Sequence, residues 1–224
     1  MRILHSKKLI FISKPRCGST SVRRFLDSKM MPGDEKCDYG NEYPGYPELH
    51  PHMSAPAVLA YLKAKGVDTA HYTTFTITRN PIAMLWSYYK YFKPDINYNY
   101  NYSKNYQKDS LVSFEKWLEN GYVGIGLWKE FCPAFVVSSN FSPLSLEAHS
   151  LDNDSNACID KVFKIEELDD CVNWLKSIFG GEVSIPEINA SGVSKIPEIS
   201  KMLKENLLKQ FPMETDYYGL GNEN

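Results

Sequence analysis

The sequence predicts an α/β fold: a largely parallel sheet with helices on both of its faces. Three observations lead there. Short runs of β-branched and aromatic residues at 8–13 and 72–79 alternate with stretches of helical period. Each run stops at a proline or turn that leads into the next helix. The 224 residues, 43% of them hydrophobic, suffice for one continuous core, and no repeat or linker divides them, so residues 1–224 are expected to form a single domain.

The elements follow in order. Residues 8–13 form a short apolar run cut off by Pro15, which reads as a buried strand. A helix over 19–29 is next, with Val22, Phe25 and Leu26 spaced i, i+3, i+4 and Arg23 and Arg24 pointing elsewhere. Residues 30–52 are dense in Pro, Gly and Tyr without a period, as functional loops often are. A helix over 55–65 ends at Gly66. "YTTFTITR" is a second strand. Pro81 then opens a helix that runs to Phe92 and carries Ile82, Leu85, Trp86 and Tyr89 as its buried stripe. "NYNYNYSKNY" at 97–106 reads as a solvated loop or an aromatic-lined substrate rim. Residues 111–119 look helical, and "FVVSS" at 135–139 is a candidate strand. "DKVFKIEELDDCVNWLKSIFG" combines a short strand with an amphipathic helix stopped by Gly180, and residues 196–210 supply the last helix.

Bulk composition removes several function classes. A formal net charge of −2 argues against a general nucleic-acid binder, so any anion site must be local. The five cysteines, Cys17, Cys37, Cys132, Cys158 and Cys171, are odd in number and lack C-x-x-C spacing, which suggests neither a disulfide framework nor a zinc ribbon. No stretch reaches the roughly 18 apolar residues of a membrane span, and the first residues lack the pattern of a secretory signal. A soluble protein of the reducing cytoplasm is the expectation.

The stretch "LIFISKPRCGSTSVRRFL" carries the chemistry. A turn that leaves a buried strand and opens a helix aims successive backbone amides, and the positive end of the helix dipole, at one spot suited to an anion. Gly18 permits close approach, Ser19, Thr20 and Ser21 add hydroxyls, and Arg16 with Lys14 adds charge. An ordinary capped helix start accounts for the same residues. A nucleotide triphosphate loop needs G-x-x-x-x-G-K-[ST], and neither the first glycine nor the lysine is in place. A cysteine phosphatase would pair Cys17 with Arg23, six positions on, although such loops normally carry glycine where this chain has Ser19 and Thr20. A phosphosulfate donor needs a second anion site. "FTITRNPIAMLWSYYKYF" offers one: Arg79 at a strand's end and Ser87 two helical turns later meet only if the helix folds back past the strand tip. A module that binds a nucleotide without transferring any group is a further alternative.

"PRCGSTS" followed by "TRNPIAMLWSYYKYF" resembles the two donor-binding motifs of the sulfotransferases that use 3′-phosphoadenosine 5′-phosphosulfate (PAPS), in particular the carbohydrate 2-O-sulfotransferase-like group. "LHPHMSAPAVLAYL" resembles that group's His-x-His segment, "KIEEL" its Arg-Phe-Glu-Asn-Leu block, and "INASG" and "DYYGL" its C-terminal blocks. Together these cover most of residues 9–220. The resemblance implies a P-loop-NTPase-like central parallel sheet, PAPS as donor, 3′-phosphoadenosine 5′-phosphate (PAP) as product, and no metal. It implies that Arg16, Cys17, Gly18, Ser19, Thr20 and Ser21 grip the phosphosulfate, that Arg79 and Ser87 hold the 3′-phosphate, and that His52, or else His50, is the catalytic base. Arg16 stands where the family places a lysine. Arginine keeps the charge but cannot donate a proton, so assistance to the leaving group is electrostatic or falls to Lys14. The acceptor is expected to be a hydroxyl on a carbohydrate or small metabolite, with residues 30–52 and 94–108 as walls of its pocket.

Overall fold

In a computed structural model that describes residues 1–38, 51–94, 111–122, 142–186 and 195–222, the strands predicted at 8–13 and 72–79 lie side by side and parallel. The sheet they centre has five strands: β1 (Arg2–Leu4), β2 (Leu9–Ile12), β3 (Glu35–Lys36), β4 (Thr73–Thr78) and β5 (Lys161–Lys164), in the order β3-β1-β2-β4-β5. β2, β4 and β5 are parallel, with Phe11 opposite Phe75 and Ile77 opposite Phe163. β1 pairs antiparallel with both β2 and β3, so the sheet is mixed where a largely parallel one was expected. The reason is chain length. Only residues 5–8 join β1 to β2, too few for the crossover of a dozen or more residues that a parallel return requires. The turn closes with Lys8 in the left-handed region at φ 53°.

Eight helices complete the described residues: α1 (Ser19–Asp27), α2 (Ala55–Ala64), α3 (Pro81–Phe92), α4 (Phe114–Glu119), α5 (Leu146–Ser150), α6 (Leu168–Phe179), α7 (Lys201–Leu208) and α8 (Pro212–Tyr217). They cover both faces of the sheet because strand side chains alternate. Leu9, Phe11, Phe75 and Ile77 face one core with Val22, Phe25 and Leu26 of α1, Met84 and Leu85 of α3, and Leu175 of α6. Ile10 and Ile12 face the other, with Ala55, Val58 and Leu62 of α2. The opposite side of β4 is threonine, satisfied by hydrogen bonds: Thr76 Oγ1 donates to the Ile12 carbonyl at 2.7 Å and Thr74 Oγ1 to the Cys158 carbonyl at 2.9 Å.

Local chemistry sets the helix ends. Ser54 caps α2 by accepting from Ala57 N, and Asn80 caps α3 by accepting from Ile82 N and Ala83 N. α4 starts at its Ser113 cap rather than at 111, and α7 starts after Ser200 rather than at 196. Pro197 disfavours helical backbone at the residue before it. The stripe expected on α3 shifts by a partial turn. Pro81, Met84, Leu85, Ser87 and Tyr88 are its buried residues, while Trp86 and Tyr89 flank them and meet Phe114 edge to face, with ring centroids at 5.0 and 5.5 Å. α5, α8, β1 and β3 were not anticipated. The 135–139 strand and the 97–106 rim lie outside the described residues. Among the described residues no helix is long and apolar enough to cross a membrane.

Phe75 is fully buried, with ring centroids 4.8 Å from Phe11 and 4.9 Å from Trp174. Phe75→Ala should lower the unfolding free energy by about 3–5 kcal/mol in denaturant titration, the usual cost of emptying a packed aromatic site.

Candidate functional site

The three parallel strands end at one edge of the sheet, and the segments that leave them there hold most of the residues singled out in the sequence. The loop after β2 turns sharply. Arg16 takes a left-handed backbone at φ 57° and Gly18 another at φ 72° before α1 begins. A left-handed non-glycine residue costs on the order of 1 kcal/mol and is a feature of binding loops. The Ser21 amide donates to the Gly18 carbonyl at 3.0 Å, and residues 15–18 form the turn that opens α1. Successive amides at such a turn and helix start can receive an anion.

Gly18 is required twice over. Besides its positive φ, a Cβ there would lie 2.6 Å from Ile165 Cδ1. Ile165 belongs to "KIEEL" just after β5, so that block packs directly on the first loop.

Arg16 and Arg79 converge. The Arg16 guanidinium donates from Nε and Nη2 to Ser87 Oγ at 3.2 and 3.0 Å and lies 4.7 Å from the ring centroid of Tyr91. Arg79 Nη1 donates to the Arg16 carbonyl at 3.4 Å. α3 therefore folds back past the tip of β4, bringing Ser87 to the first loop. Ser87 meets Arg16 there, whereas the sequence paired it with Arg79. Among the described residues neither guanidinium is in an ion pair with a carboxylate. Burial lowers the Arg16 pKa, and the charge on Arg79 adds to the effect. Lys90 is lowered likewise by burial and by both arginines. Arg79 Nε, Thr78 Oγ1 and Ser13 Oγ are buried without a hydrogen-bond partner among the described residues. Unpartnered donors beside clustered cations suit a polyanion.

His52 is held at the same edge. Its Nδ1 lies 2.5 Å from the Ser13 carbonyl, which can only accept, so Nδ1 carries a proton and the ring is fixed at the end of β2. His50 lies outside the described residues.

Lys14 and Cys17 point the other way, into the core. The Lys14 ammonium is fully buried and 2.9 Å from Glu214 Oε1, itself fully buried, with Met84 Sδ at 3.1 Å and Cys17 Sγ at 3.9 Å. Burial opposes the charge on Lys14, but Cys17, Glu214 and Glu147 outweigh it and raise the pKa. Burial pushes the Cys17 thiol up, so at neutral pH it stays protonated and the counterion of Lys14 is Glu214. Glu147 is raised by burial and by the charge of Glu214. His149 is lowered to about 4 by burial and by Lys14. Ser19 and Ser21 are buried at the start of α1, and Thr20 Oγ1 accepts from Arg23 Nη2 at 3.2 Å. No local signal marks Glu214 in the sequence. Its partner is 200 positions away, and nothing in "PMETDY" distinguishes that glutamate from a surface one.

The last segment also reaches this edge. Tyr218 OH donates to Glu166 Oε2 at 2.6 Å and approaches the Thr78 carbonyl at 3.4 Å, while Tyr217 OH donates to the Val162 carbonyl at 2.9 Å. The "KIEEL" and "DYYGL" blocks thus meet at the strand tips. "INASG" lies largely outside the described residues.

Gly18→Ala should destabilise the protein by about 1–3 kcal/mol, and adding Ile165→Val, which removes Cδ1, should recover part of that loss in a double-mutant cycle. His149 makes stability depend on pH. Its folded pKa lies below the ordinary 6.5, so the unfolded chain binds the proton first. Its contribution is complete above pH 6.5 and falls by about 1.4 kcal/mol per unit between 6.5 and 4. His149→Gln should flatten that slope in urea titrations at pH 7, 6 and 5.

Neither a scan against protein-family models nor a search of curated proteins found a match to this chain.

Proposed function

We propose that the chain is a PAPS-dependent sulfotransferase that moves a sulfuryl group to a hydroxyl of a carbohydrate or small metabolite. The observation that supports it most is the meeting of Arg16 and Arg79, neither ion-paired with a carboxylate among the described residues, at a left-handed turn beside the tips of two parallel strands. That combination suits a ligand with separate anionic groups better than a single phosphate. The resemblance of "PRCGSTS" and "TRNPIAMLWSYYKYF" to the family's donor motifs points the same way.

PAPS supplies an activated sulfuryl group, and the chain's task is to position it and stabilise charge on the departing oxygen. The amides of residues 16–20, with the hydroxyls of Ser19 to Ser21, grip the phosphosulfate. Arg79 and Ser87 hold the 3′-phosphate. Arg16 serves both ends, since its backbone belongs to the loop and its guanidinium touches Ser87. Lys14 is committed to Glu214 inside the core, so electrostatic support for the leaving group falls to Arg16. His52, with Nδ1–H on the Ser13 carbonyl, takes the acceptor proton at Nε2. The cysteine phosphatase alternative is disfavoured, because the Cys17 sulfur faces Lys14 and Met84 in the core and burial keeps it a thiol.

Incubation with labelled PAPS and a panel of hydroxyl acceptors, read by mass detection of added sulfate, tests the reading. His52→Ala should cut turnover by about 100-fold or more while PAP affinity stays within about twofold. Arg79→Ala should weaken PAP binding by about 10–100-fold in calorimetry, the range for hydrogen bonds to a charged group. Cys17→Ser should stay active. Absence of PAP binding by the unmodified protein would refute the proposal.

A further inference from the structure

A lysine two residues before an anion loop is usually taken as part of the anion's cradle, yet Lys14 is turned fully inward. Its ammonium meets Glu214 of α8 at 2.9 Å in a place where neither side chain has exposed surface. Nζ and Oε1 form a direct ion pair. Removing two charges from water is unfavourable by itself, and such pairs persist where they specify one arrangement of the chain. The arrangement at stake here is the turn that follows Lys14. Two residues later the backbone enters its left-handed region at Arg16, whose carbonyl accepts from Arg79 and whose guanidinium reaches Ser87.

α8 and the residue after it touch β4 at its end, β5 within the strand, and the turn that leaves β2. Glu214 holds the residue group after β2, Tyr218 reaches the Thr78 carbonyl at the end of β4, and Tyr217 bonds the Val162 carbonyl of β5. Glu147 of α5 secures the start of this strap by accepting from Met213 N.

We propose that Glu214 is a positioning residue: through its buried ion pair with Lys14, the C-terminal helix α8 sets the conformation of the anion loop and so the placement of the Arg16 guanidinium. The proposal rests on the anion-site reading above. Glu214 never touches the ligand; it acts through Lys14. The groups that face the pair are Cys17 and Met84 from the loop and α3, and Glu147 and His149 from α5. Burial raises the Glu147 pKa and lowers that of His149, so both tend toward their neutral forms and the pair is balanced within itself.

Two readouts test this, one of which needs no ligand. Cys17 is fully buried 3.9 Å from Lys14 Nζ, so its alkylation by a maleimide reports the loop, with buried Cys171 on α6 as the internal standard. Glu214→Gln leaves Lys14 without a counterion and is at risk of misfolding. The charge-free double variant Lys14→Met with Glu214→Leu keeps a filled core and serves as the decisive protein. In that variant, folded by circular dichroism, Cys17 alkylation should rise at least tenfold relative to Cys171, and PAP affinity should fall at least tenfold. Leu62→Ala, a change in the separate core on the other face of the sheet, should show neither effect at comparable loss of stability. A folded double variant with Cys17 reactivity and PAP affinity both within twofold of the unmodified protein would overturn the proposal. Should the unmodified protein fail to bind PAP, the sulfotransferase reading falls, and Cys17 reactivity alone then decides whether Glu214 positions the loop.

Discussion

Two guanidinium groups share one partly buried corner of this protein, at the ends of neighbouring parallel strands, with no carboxylate against either among the described residues. Burial lowers the Arg16 pKa, and repulsion from Arg79 adds to it. The surrounding structure holds them together nonetheless. Parallel pairing of β2 and β4 brings the two strand ends to adjacent positions, and α3, capped by Asn80, doubles back so that Ser87 accepts from Arg16. Geometry of this kind stores a cost, which the polyanion of the proposed function would offset at the carboxyl edge of the sheet.

The core beneath the corner follows the opposite rule. Lys14 and Glu214 pair inside the protein, with Glu147 shifted toward its protonated form and His149 toward its neutral one, so that little net charge is left in a medium that cannot solvate it. The same six-residue loop therefore sorts its cations by direction. Lys14 is neutralised within the core and Arg16 is left for the outside. Gly18 makes the sorting possible, because its left-handed backbone and missing Cβ let α1 start directly against Ile165.

Periodicity and punctuation in the sequence were enough for the central elements. The 8–13 and 72–79 strands, α1 with its Val22, Phe25 and Leu26 face, and α3 from Pro81 to Phe92 all follow from local pattern, capping residues and proline. Arg16 and Arg79 were singled out by charge in the turn after one strand and at the end of the other, Ser87 by its place two helical turns on, and His52 by the family resemblance; the fold brings them to one edge. β1, β3, α5 and α8 left no readable pattern and are defined by what they pair with or pack on. The mixed character of the sheet belongs to the same class, since it depends on β1 pairing back onto β2.

What the sequence determined by itself is thus the local chemistry: where strands stop, where helices are capped, and which cations and hydroxyls stand beside those turns. Only the tertiary structure decided which way each of them faces. Lys14 and Arg16 are both basic and two residues apart, and no local signal separates them. One lies against Glu214, 200 positions away, and the other against Ser87, because side-chain direction is set by long-range packing and by the availability of a buried counterion.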